Sequence, residues 1–296
     1  MKRVFLAVLF LSAALAGATA NAFAGEGRPV LVELYTSQGC GACVPADKLL
    51  IKLAKRKGLI AVSLPITYWD MLGWKDTLAS EANTRRQKAY AGAMGRGGVY
   101  TPQIVIDGVK DVVGSHEDLV EGAVEAAEEA RDDASEAIAD ARDALDDASD
   151  GDLPIGVSAF GALRRKTEML TARLPPSVDI GLKRMPQKLN VAIAAAPDVA
   201  AKNKLNATIW LLRLRSAVTV RIDAGENAGR TVTYRNVVSD IKELGRWNGR
   251  AVSIDLPRVD AKNPPHDGVV VVLQQGGYGR VLGAAYLGHA EFYAQQ

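Results

Sequence analysis

The sequence predicts an α/β layer domain followed by a β-rich, antiparallel sandwich-like domain. Three observations lead there. Strand-like and helix-like segments alternate up to about residue 116, the order of an α/β layer fold. After about residue 153, short β-branched runs are punctuated by Gly, Asn, Pro and Asp, as in an antiparallel sandwich. Between them, Glu117 to Asp152 holds fifteen acidic residues and two arginines, a composition for helix or solvated connector. The expected divisions are a leader at 1–24, an α/β domain at 25–116, an acidic Ala-rich helix and connector at 117–152, and a β-rich domain at 153–296.

The leader reads M-K-R, then an apolar run, then A-F-A at Ala22 to Ala24. A charged start, a short apolar middle and a small-x-small end define a secretory signal peptide. The run is shorter than the roughly twenty residues a bilayer span needs. The expected location is therefore the periplasm or the exterior, with no membrane span after the leader is removed. Net formal charge is +2 over 296 residues, and nucleic acid is not an expected partner.

R-P-V-L-V-E-L-Y-T, from Arg28, is the first strand. A-D-K-L-L-I-K-L-A-K-R-K-G follows as a helix with a basic last turn and a terminal glycine. L-I-A-V-S-L-P-I is a buried strand, and the stretch from Asp76 to Gly95 is helical. Q-I-V-I-D-G-V-K-D-V-V-G is a hairpin turning at Asp107-Gly108. Ser115 and Asp118 fit a capping box for the acidic helix, whose apolar positions thin out after Ile138. In the last part, residues 191–196, 207–214, 217–222, 230–238, 251–256, 268–275 and 280–287 are strand-like.

The chemistry concentrates at T-S-Q-G-C-G-A-C, where Cys40 and Cys43 are the only two cysteines. As a staple a CxxC is poor, because so small a loop removes little chain entropy. Zinc wants three or four protein ligands, and His116, His266 and His289 have no ligand spacing. Two thiolates alone suffice for a soft cation such as Cu(I). A redox pair is the third reading. Cys40 falls at a helix N-terminus, where free N–H groups and the macrodipole favour a thiolate, and Cys43 one turn deeper can resolve a mixed disulfide.

Some sixty residues on, V-Y-T-P-Q-I-V-I-D-G begins a strand at Thr101-Pro102. Strand–CxxC–helix, then Thr-Pro–strand–Asp-Gly hairpin, then helix, resembles the thioredoxin superfamily. The fold expected is thus an α/β thioredoxin-like domain followed by a β-rich antiparallel sandwich-like domain. The resemblance implies a cis Pro102, with the Thr101 backbone presented to an extended substrate. V-E-L-Y-T-S-Q-G-C-x-x-C-x-P-A-D, Y-W-D-x-L-G-W-K-D, T-P-Q-x-V-x-D-G and G-E-N-A-G-R-T-x-x-Y-x-N-V-V are together similar to an exported thioredoxin-like family catalogued as a domain of unknown function. In that family a histidine and an aspartate usually precede Y-W-D. Here the positions read Pro65-Ile66-Thr67, so no acid–base role carries over.

Tyr68, Trp69 and Asp70, with Gly73, Trp74, Lys75 and Asp76, read either as a lid beside Cys40 or as aromatic packing. In the superfamily a buried acid on the first strand shuttles a proton for the resolving thiol. Glu33 lies seven positions before Cys40, one residue off that offset, which turns it to the other face. Gly225, Glu226, Asn227, Gly229 and Arg230 form a turn, or a surface docking one domain on the other.

These readings converge on an exported thiol–disulfide oxidoreductase. Cys40 attacks, Cys43 resolves, Thr101 and Pro102 position the substrate, and no cofactor is needed beyond the redox-active Cys40–Cys43 disulfide. Its partners would be exported thiol or disulfide proteins, or an electron-donor protein. Two alternatives stand: a Cu(I)-binding or copper-delivery protein using the same thiols, and a non-enzymatic binding protein with a structural CxxC.

Overall fold

The computed structural model describes residues 28–149, 177–196, 206–257 and 266–288. The expected leader at 1–24 and His289 lie outside these residues. The chain begins with β1 (Val30–Thr36), α1 (Cys43–Leu53) and β2 (Leu59–Pro65). Every residue of β1 and β2 is buried, as expected of parallel strands covered on both faces. β1 pairs with β2 in parallel, Val30 opposite Leu59.

A short 3₁₀ turn (Asp70–Leu72) leads to α2 (Glu81–Ala93). This helix starts later than the expected Asp76, because Ser80 takes the N-cap: its hydroxyl accepts from Asn83 N–H. Next come β3 (Gln103–Ile106) and β4 (Lys110–Val113), antiparallel to each other, with β3 antiparallel to β1. Asp107 and Gly108 both have positive φ, 48° and 70°, as a tight primed hairpin turn requires. The Asp107 carboxylate accepts from Leu31 N–H at 2.9 Å and from Arg28 at 2.8 Å, tying the turn to β1.

α3 (Glu117–Ser149) is one continuous helix of 33 residues. It runs well past the point where its apolar positions thin out, since alanines and acidic residues sustain helix without burial. Its first turns dock on α1 and the sheet through Val120 and Val124. Arg56, following α1, bridges Glu121 and Glu128.

The remaining strands are β5 (Ile180–Arg184), β6 (Lys188–Ile193), β7 (Ala207–Arg221), β8 (Thr231–Trp247), β9 (Val252–Pro257), β10 (Gly268–Gln275) and β11 (Val281–Leu287). The main sheet is mixed and mostly antiparallel, ordered β11-β10-β7-β8-β2-β1-β3-β4. Strands from both halves of the chain therefore share one sheet. The seam is a single parallel pair, Ser63 with Val237. Asn236, at φ 46°, donates its amide to the Ala61 carbonyl there at 2.9 Å. A second sheet, β5-β6-β9, faces the main one across Val191, Ile209, Leu211, Val271 and their neighbours.

The main sheet coils until its ends meet. Val281 N–H donates to the Asp107 carbonyl at 2.9 Å. A Cβ on Gly108 would lie 2.2 Å from the Gly279 carbonyl, so only glycine fits that closure. Two cores result on either side of β1: Val30, Val32 and Leu34 face α1 and α3, while Leu31 and Tyr35 face the coiled-over strands. Each large apolar side chain so buried contributes about 1.5–3 kcal/mol. No helix among the described residues is long and apolar enough to cross a membrane.

Candidate functional site

The CxxC lies in the turn from β1 into α1. Cys40 and Cys43 form a disulfide. Cys43 is the first residue of α1, and Ala42, at the cap position, has no side chain that can close the helix end. Both cysteines are buried, Cys40 at 1% and Cys43 at 0% exposure. At 1% exposure Cys40 is covered, and three segments cover it.

The first is the strand entry at Thr101-Pro102, whose peptide bond is cis. The Thr101 hydroxyl donates to Cys40 Sγ at 3.5 Å, and the Thr101 carbonyl oxygen lies 4.0 Å from the same sulfur. The structure thus brings Cys40, Cys43, Thr101 and Pro102 together.

The second is the loop from Ile66 to Ser80. Trp69 Nε1–H donates to Thr101 Oγ1 at 2.8 Å, which fixes the hydroxyl that meets Cys40. Trp74 Nε1–H donates to Gln38 Oε1 at 2.8 Å. The Asp76 carboxylate accepts from Gln38 N–H at 2.8 Å and from Leu78 N–H at 2.8 Å. Burial pushes the Asp76 carboxyl above its ordinary range, against the N–H bonds it receives. Asp70 accepts from Asp76 N–H, and Tyr68 O–H donates to Gln87, one layer back. Trp69 and Tyr68 both reach Thr101, the residue set against the sulfur. Thr67 binds Glu81 and Thr84 and so serves α2.

The third is the tip between β7 and β8. Glu226 Oε2 accepts from Gly41 N–H at 2.7 Å. Asn227, 1% exposed, donates its amide to the carbonyls of Gln38 and Cys40, both at 2.9 Å. The glycines around them allow the close fit: Gly225 has φ 77°, and a Cβ there would lie 3.1 Å from Trp74 Cβ. The turn seen in the sequence at Gly225–Arg230 therefore docks on the CxxC.

Glu33 is elsewhere. Its side chain lies on the face of β1 away from α1, in a buried ion pair with Arg86 at 2.6 Å, and accepts from Tyr90 O–H at 2.5 Å. The acid that does share α1 with Cys43 is Asp47, one turn further on. It is buried, accepts from the Thr36 hydroxyl at 2.9 Å, and its other oxygen has no hydrogen-bond partner. Burial raises this carboxyl well above its ordinary range, the Thr36 bond opposing and Asp76 reinforcing. Asp47 lines a groove of about 530 Å³ with Val44, Lys48, Ile51 and the start of β8. Its sequence signal was an acid among apolar positions on a helix. Among the described residues, no group of three or more His, Cys, Asp or Glu is placed to hold a metal ion.

Fold and site together define a mixed α/β protein with a covered CxxC disulfide at a strand-to-helix turn. Residues 31–159 and 159–274 match a family described as a protein of unknown function (DUF1223), and the chain belongs to that family. A crystal structure of the protein AGR_C_4864 from Agrobacterium tumefaciens is similar, with 25% identity and a TM-score of 0.61 over 90% of this chain and 96% of that one. HBP35 of Porphyromonas gingivalis is 10% identical, with a TM-score of 0.49 over 89% of this chain and 76% of that one, a likeness too slight to argue from. No curated protein matches the chain.

Proposed function

We propose that this protein is an exported thiol–disulfide oxidoreductase with a thioredoxin-like reaction centre. The observation that carries the reading is Thr101 set against Cys40 Sγ, beside a CxxC at the mouth of a helix. In the reduced protein the Cys40 thiolate attacks a substrate disulfide. A mixed disulfide forms and one substrate thiolate leaves. Cys43 then attacks Cys40 Sγ, releasing the second substrate thiolate and closing the Cys40–Cys43 disulfide. Two electrons pass to the substrate, and a donor dithiol protein restores the pair. The chemistry needs no organic cofactor. The Thr101 backbone, next to the sulfur, is the seat for an extended substrate segment, and Trp69 holds it in place. The leader at 1–24 directs this activity to the periplasm or beyond.

One observation favours a second reading, a structural clasp: Cys40 is 1% exposed. The two part cleanly. In Cys43→Ala the mixed disulfide cannot resolve, so Cys40 is expected to retain covalent adducts with exported proteins, released by dithiothreitol. No adduct, together with no reduction of insulin by the wild-type protein, would leave the clasp.

A further inference from the structure

The charged groups that hydrogen-bond to the segment from Thr36 to Cys43 among the described residues are carboxylates: Asp47, Asp76 and Glu226. Glu226 stands apart. It comes from 185 residues away in the chain and takes the N–H of Gly41, inside the CxxC turn. A backbone N–H at this helix mouth would otherwise favour negative charge on Cys40. Glu226 occupies it with a charge of the same sign as the thiolate. A like charge close by disfavours ionisation.

We infer that Glu226 is a positioning residue that disfavours the Cys40 thiolate and so holds the pair toward its disulfide form. This rests on the redox reading above and gives it a direction: the pair is a reductant when charged with electrons, and its dithiol form depends on a donor. The remaining charges do not reverse the sign. On α1 and in the loop before α2 stand Asp47, Asp70 and Asp76; burial raises the Asp47 and Asp76 carboxyls, so these two oppose the thiolate only once ionised. Lys48, Lys75 and Arg230 are exposed, as Glu226 is, and all four are screened by salt; of the four, Glu226 is the one hydrogen-bonded to the CxxC turn.

The inference also accounts for Gly41. A Cβ there would lie 2.9 Å from Glu226 Oε2. That atom ends a flexible side chain, so Gly41→Ala displaces the carboxylate without forcing the backbone.

The test is thiol ionisation in the reduced mature protein, followed by thiolate absorbance and by iodoacetamide alkylation across pH. In Glu226→Gln the apparent Cys40 pKa is expected to fall by about half a unit to one unit, with a smaller fall in 1 M salt. Gly41→Ala should shift it the same way. Measured above the thiol pKa, the dithiol–disulfide equilibrium against glutathione should move up to tenfold toward dithiol, which is about 30 mV. A purely structural Glu226 would change the denaturation midpoint and leave the pKa in place. An unchanged or raised pKa in Glu226→Gln overturns the inference. Neither readout needs a turnover assay, so failure to trap adducts in Cys43→Ala is a separate result.

Discussion

Asn227→Ala tests whether the β7–β8 tip gates the disulfide. Asn227 donates two hydrogen bonds, to the carbonyls of Gln38 and Cys40, each 2.9 Å and each buried. Each is worth about 0.5–1.5 kcal/mol net, so closure of the tip weakens by about 1–3 kcal/mol. If the tip gates the site, reagents reach Cys40 only when it opens, because Cys40 is 1% exposed when it is closed. When opening and closing are fast, reaction follows the open population. The same 1–3 kcal/mol then multiplies that population about 5- to 150-fold. The assay is reduction of the mature protein by dithiothreitol, quenched with a maleimide and read by mass. The rate should stay linear in reductant for both proteins, and urea denaturation should show that the variant remains folded. An increase of less than about twofold would mean that the tip does not gate, and that the cover on Cys40 is the Trp69–Thr101 side alone.

Two further outcomes are expected. Arg86→Met strands the Glu33 carboxylate, 0% exposed, with Tyr90 as its remaining donor, and should cost about 3–5 kcal/mol in urea denaturation. The double variant Glu33→Leu, Arg86→Met should cost less than the two single losses added; simple additivity would refute the coupling. Asp47→Asn should change the pH profile of stability. Its carboxyl is raised in the folded state above the ordinary 3.8, so the folded chain keeps that proton longer than the unfolded one. Stability from the site is present below 3.8 and lost as pH rises through the folded value. Wild type should therefore lose ground to Asp47→Asn as pH rises above 3.8, by about 1.4 kcal/mol for each unit of elevation; parallel profiles would refute it.

The features legible in the sequence are those with local signals. The Asp107-Gly108 turn announces itself because two positive-φ positions demand such residues. The CxxC and Thr101-Pro102 are short motifs with their chemistry written in them. β5, I-G-L-K-R, was missed because a glycine and two basic residues leave little β pattern. β8 was expected to end near residue 238, yet it runs to Trp247. Its second half is polar, and it is held by pairing with β7 rather than by its own composition. Asp47 and Cys43 share a helical face through an i, i+4 spacing, visible only once that face is known to be the buried one. The landing place of Glu226 and Asn227 was the hardest to read. Glycine and asparagine specify the shape of a turn, not the surface that a turn meets.

That landing place also changes what the β-rich half is for. β7 and β8, fifteen and seventeen residues long, are far longer than their share of the core requires: past Val237 toward the tip, they leave the partner strand β2. Asn236 makes the departure, with its positive φ and its bond to Ala61. Leu78 packs against Tyr234 and Val237, steering the free part of the ribbon over the loop that carries Trp69, Trp74 and Asp76. The ribbon is thus an arm anchored in the shared sheet and aimed at the CxxC turn. Its tip brings a carboxylate to Gly41 and an amide to the carbonyls of Gln38 and Cys40. A fragment ending before β5 would keep the CxxC, Thr101 and Pro102 but would expose the disulfide and free the Gly41 N–H. The reactivity of the pair is therefore a property of both halves, set where the arm meets the turn.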